Sequence, residues 1–84
     1  LLNLKEKKIA SEIYKILINK KKDLIQKKIS LNSIKNKFFE LGVHKVDYIK
    51  LLDINKLVKP YRKNRRYKIF IAYHLRTTRL IDNI

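Results

Sequence analysis

Eighty-four residues, with 22 Lys and Arg against seven Asp and Glu, carry a formal charge of +15 and contain no cysteine. That length permits one small domain with a modest core, and the lack of thiols excludes a disulfide framework and a thiolate zinc site. Self-repulsion at this charge favours a polyanionic partner, which nucleic acid supplies more densely than a membrane surface does.

The first helix is predicted over 4–29. Asn3 followed by Glu6 has the spacing of a capping box, and Ile9, Ile13, Ile16, Leu17, Leu24 and Ile25 then recur at helical spacing. The opposite face, with Lys5, Lys8, Glu12, Lys15 and Lys22, reads as solvated, and Lys20 interrupts the apolar stripe. A short second helix follows from Asn32 or Ser33, with Ile34, Phe38 and Leu41 on one side and Gly42 as the left-handed residue that ends it. A third helix is expected from Asp47, showing Tyr48, Leu51, Leu52 and Val58 on one side and stopping near Pro60. Lys56 and Lys59 would fall in its last turns, where the helix dipole favours positive charge.

From Asn64 onward the pattern is double-valued. Tyr67, Ile69, Ile71, Tyr73 and Leu75 alternate as a strand would, but length and the lack of turn residues favour one long helix, with a lone strand at 67–75 as the alternative. One glycine and one proline in the whole chain give little punctuation for a meander of short strands. The expected fold is therefore all-α, three to four helices in an extended or loosely packed arrangement with a long C-terminal helix. It forms a single basic domain over 1–84, with N-terminal helices in 1–42 and an arginine-rich RNA-binding half in 43–84.

All five arginines lie within 62–79, inside a stretch between Asp53 and Asp82 that holds no acidic residue. Guanidinium meets phosphate through a planar fork and stacks on bases, which ammonium does less well. The expected RNA-binding residues are Lys59, Arg62, Lys63, Arg65, Arg66, Lys68, Arg76 and Arg79, with Tyr61 and Tyr67 as stacking candidates and His74 as a phosphate donor. His44 and His74 have no partner set for catalysis, no serine or carboxylate stands in a defined relation to them, and one glycine cannot build a phosphate loop. The expectation is thus not an enzyme, with no catalytic residue, no metal, no cofactor and no small-molecule substrate. A helix-turn-helix over 34–52, with Gly42 in the turn, meets bulky Phe38 and charged Lys37 where small and apolar residues are usual.

The end of the chain resembles the small-subunit ribosomal protein fifteen family. Leu51, Ile54, Val58 and Lys59 are similar to the end of an earlier helix, Asn64, Arg65 and Arg66 to the arginine pair opening a long helix, Ile69, Phe70 and Ile71 to its apolar stretch, and Arg79, Leu80, Ile81 and Asp82 to its later segment. The similarity begins at Leu51. The family's Asp-Thr-Gly-Ser loop is absent and its basic loop is reduced to Tyr61, Arg62 and Lys63. The resemblance implies a helical protein bound to ribosomal RNA and neighbouring ribosomal proteins.

Thirteen Ile, 17 Lys and seven Asn show a bias that strongly AT-rich coding produces, which points to a mitochondrion, or else to another AT-rich organelle or the cytoplasm of an AT-rich organism. The chain opens on Leu1 and contains no methionine, as expected of a processed or incomplete polypeptide. No apolar run reaches the length of a transmembrane segment. Together these readings predict a structural constituent of a mitochondrial ribosome. The alternatives are a helix-turn-helix-like DNA-binding module and a basic accessory subunit of a large organellar complex whose surface meets anionic lipid.

Overall fold

A computed structural model describes residues 2–54, 67–76 and 78–84. Two helices, α1 (Leu4–Ile25) and α2 (Leu31–Leu41), precede three strands, β1 (Lys45–Asp53), β2 (Tyr67–Leu75) and β3 (Thr78–Asn83). The strands form one antiparallel sheet in the order β1-β2-β3.

The helices start where local chemistry asks them to. Asn3 accepts the Glu6 backbone N–H at 2.8 Å and Glu6 accepts the Asn3 backbone N–H at 3.3 Å, which closes the capping box. Ser30, rather than Asn32 or Ser33, caps α2 by accepting from the Ser33 N–H at 3.1 Å. Gly42 ends α2 at φ 109°, a conformation that L side chains adopt only with strain. α1 ends at Ile25 rather than near 29, and Lys27 turns the chain at φ 59°.

The second half overturns the all-α expectation. Where a third helix was expected from Asp47, the chain extends as β1. The long C-terminal helix is replaced by the β2-β3 hairpin, and the strand at 67–75 is the central strand of a sheet, not a lone one. The helix-turn-helix over 34–52 falls with it, because its second helix is β1. Two physical reasons decide this. Val46, Tyr48, Ile49, Ile69, Ile71 and Tyr73 are β-branched or aromatic residues that suit a pleated, half-buried surface. The missing turn glycine is no obstacle, since Arg76 itself takes φ 41° between the paired residues Leu75 and Thr78. The expected helix end at Pro60, with Lys56 and Lys59, lies outside the described residues.

Both helices pack on one face of the sheet. Ile13, Leu17 and Leu24 of α1 and Ile34 and Phe38 of α2 meet Ile69, Ile71, Tyr73 and Leu75, the inward residues of β2. The Phe38 and Tyr73 rings lie 6.4 Å apart and tilted by 39°. Tyr73 is thereby a core residue, and burial, followed by the charge of Asp82, raises its hydroxyl pKa above 10.0. The other face of the sheet carries Lys45, Tyr48 and Lys50 from β1, Lys68, Phe70 and His74 from β2, and Arg79 and Ile81 from β3. No described helix is long and apolar enough to cross a membrane.

Candidate anion-binding site

On the face of the sheet away from the helices, the register sets Lys45, His74 and Arg79 side by side across the three strands, Lys45 opposite His74 and His74 opposite Arg79. A β-bulge between Val46 and Tyr48 then shifts β1 by one residue and brings Asp47 to the same face. One carboxylate oxygen, Asp47 Oδ2, accepts from Arg79 Nε at 2.7 Å and lies 2.9 Å from His74 Nε2. The other oxygen lies 3.7 Å from Lys45 Nζ.

This arrangement has more cation than anion. One carboxylate faces two permanent positive charges and a histidine, so the cluster keeps a net positive charge. The hydrogen bond from Arg79 Nε first, then that from His74, lower the Asp47 pKa from 3.8 to about 2. Asp47 is therefore an ionised anchor at neutral pH and not a proton donor. Arg79 is tied through Nε alone, and among the described residues its two terminal nitrogens make no bond, leaving the fork free for an incoming carboxylate or phosphate. Lys45, with a side chain 68% exposed, stands beside it as a second cation.

The sequence-derived site residues divide in three. Lys59, Tyr61, Arg62, Lys63, Arg65 and Arg66 lie outside the described residues. His74 and Arg79 come together through Asp47. Lys68, Tyr67 and Arg76 do not join them: Lys68 donates from Nζ to Asn83 Oδ1 at 3.3 Å, Tyr67 opens β2 half-buried, and Arg76 sits in the hairpin turn. Asp47 and Lys45 are not among the sequence-derived site residues, because a helix expected from Asp47 places neither of them beside His74 or Arg79. The alternation of Lys45 and Asp47 with Val46 and Tyr48 is the local signal of an extended segment that could have found them. Among the described residues, no group of three His, Asp or Glu side chains could hold a metal ion.

No curated protein and no solved structure matches this chain. One family model matches, described as pantoate-beta-alanine ligase, and it spans residues 1–84. That match overturns the ribosomal reading: neither a ribosomal protein family, nor the ribosomal RNA and protein partners, nor the DNA-binding and accessory-subunit alternatives are supported by it. It also corrects the expectations of a non-enzyme without a small-molecule substrate, since ligases of this kind are enzymes that act on small molecules. The physical reason for the error is that guanidinium reads phosphate and carboxylate alike, so arginine density names the charge of a ligand and not its size. The chain belongs to the pantoate-beta-alanine ligase family.

Proposed function

We propose that this protein takes part in joining the carboxylate of pantoate to the amine of β-alanine, and that Lys45 and Arg79 hold the anionic group of a substrate. The observation that carries the reading is the family match over residues 1–84. The cluster around Asp47 supports it, because each of the small molecules used by the family, pantoate, β-alanine and ATP, bears a carboxylate or phosphate.

Amide formation from a carboxylate and an amine needs an activated acyl group, because a carboxylate oxygen is a poor leaving group. ATP supplies the activation: a carboxylate oxygen bonds to a phosphorus of ATP as that phosphorus loses its bond to a bridging oxygen and the rest of the molecule leaves; the amine nitrogen then bonds to the acyl carbon, the acyl C–O bond breaks with the phosphate group leaving on that oxygen, and the nitrogen loses a proton. In this reading the described residues bind and orient. Asp47 fixes the Arg79 guanidinium through Nε, so that its outer fork meets an anion with little rotamer freedom left to lose. Lys45 adds charge on the same side. Gly42 caps α2, so a glycine-built phosphate loop is not what the described residues offer; side-chain cations are.

The test is a ligation assay on the full-length protein with ATP, pantoate and isotopically labelled β-alanine, followed by mass spectrometry of the amide. Labelled amide is expected from the wild type. Arg79→Ala is expected to lower kcat/KM about tenfold or more, chiefly by raising KM, as loss of one charged contact does. A wild-type protein that makes no amide overturns the ligase reading. An Arg79→Ala variant with unchanged KM for every substrate removes the cluster from it.

A further inference from the structure

His74 is the middle residue of the cationic row, paired with Lys45 on one side and Arg79 on the other. Its side chain is 29% exposed, so water reaches the ring. Nε2 lies 2.9 Å from Asp47 Oδ2, and an ionised carboxylate only accepts, so Nε2 holds the hydrogen of that bond. A further proton is therefore taken up on Nδ1, and it adds a positive charge between two that are already present.

The surroundings isolate that event. Among the described residues on this face, β1 brings Lys45 and Asp47 to the ring and β3 brings Arg79, while both helices pack on the opposite face of the sheet. Between about pH 5 and 8, lysine and arginine stay positive and imidazole is the side chain that changes charge. Asp47 stays negative across that range, because the Arg79 bond first and the His74 bond second lower its pKa to about 2. The cluster therefore has one net positive charge with His74 neutral and two with His74 protonated. His44 is a second imidazole in the neighbourhood, its backbone N–H donating to the His74 carbonyl at 2.8 Å, and it serves as the control.

An added site charge does not act equally on all anions. Coulomb attraction scales with the charge of the ligand, so the proton strengthens a dianion twice as much, in free energy, as a monoanion. The outer fork of Arg79 meets the paired oxygens of a carboxylate or of a phosphate-like group, and its geometry does not choose between them. Selectivity is a difference of affinities, and that difference is what the proton moves.

We infer that His74 is a specificity-determining residue of this site. Neutral, it leaves a site suited to a singly charged anion such as a carboxylate; protonated, it turns the preference toward a doubly charged, phosphate-like group. The inference rests on Lys45 and Arg79 holding an anion, as proposed for the ligase substrate, and not on amide formation.

The experiment is calorimetric titration of the full-length protein at low salt with sulfate and with methanesulfonate, a dianion and a monoanion of similar shape that do not titrate in this range. Lowering the pH from about 8 to 5 is expected to tighten sulfate about tenfold and methanesulfonate about threefold. His74→Gln, whose amide still donates to Asp47, is expected to abolish both changes, and His74→Lys to keep the sulfate preference at about pH 8. If one of these variants fails to fold, the other decides. His44→Gln is expected to alter neither change. A sulfate-to-methanesulfonate ratio that is equal at both pH values in the wild type overturns the inference, and so does a ratio that still shifts in His74→Gln. Absence of sulfate binding at either pH overturns it as well and removes Lys45 and Arg79 from substrate binding. A pH-dependent ratio in a protein that forms no amide leaves this inference standing and removes the ligase reading instead.

Discussion

Asp47 is the residue on which the open face of the sheet is organised, and its titration gives that role a measurable edge. Its folded pKa of about 2 lies below the ordinary 3.8. Between those values the unfolded chain binds more protons than the folded one, so stability falls as the pH drops through that window and is fully present above it. Asp47→Asn should therefore lower the urea midpoint by a constant amount above about pH 4, with the gap to wild type closing toward pH 2. A gap that stays constant down to pH 2 would show that the Arg79 and His74 bonds do not hold the carboxylate ionised. His74 and Arg79 were legible in the sequence as residues suited to an anion. Their anchor was not, because Asp47 stands 27 residues from one and 32 from the other and nothing local links them.

At the scale of elements, the two helices and the three strands differ in how they are specified. α1 and α2 announce themselves through caps and periodicity within a few residues, and Gly42 shows how strictly. Its φ of 109° disfavours any Cβ, and one built there would meet Ile9 Cδ1 at 3.3 Å. Gly42→Ala should cost about 1–2 kcal/mol from the backbone conformation alone, with any shift of Ile9 in addition, read as a lower free energy of unfolding in urea. An unchanged value would mean that the end of α2 has another way to close. The strands lack such local punctuation. Tyr67–Leu75 alternates as a strand should, yet its acceptance depends on partners on both sides, Lys45–Asp53 before it and Thr78–Asn83 after it. Leu51 and Leu52 fit a helix stripe as well as a strand, so the residues of β1 taken alone favour a helix.

For the whole molecule, the +15 charge outweighs its own ion pairs. The salt bridges between described residues converge on Asp47 at the surface, and exposed pairs of that kind contribute at most about 1 kcal/mol. Repulsion among the remaining cations acts over the full surface. Raising salt from about 0.01 to 1 M shortens the screening length from roughly 30 to 3 Å, so the melting temperature should rise by several degrees. A fall would mean that the Asp47 cluster dominates the electrostatics of folding.

The charge, the arginine focus, the first two helices, the capping box of α1 and the glycine that ends α2 are legible in the residues alone, because they follow from composition and from neighbours three or four positions apart. That the second half is a sheet, that a bulge turns Asp47 toward His74 and Arg79, and that Glu6 is closed in beside the hairpin turn emerges only when distant segments come together. Each of these depends on register between strands or on packing of distant segments, and a period of two along one strand does not say which strand lies beside it.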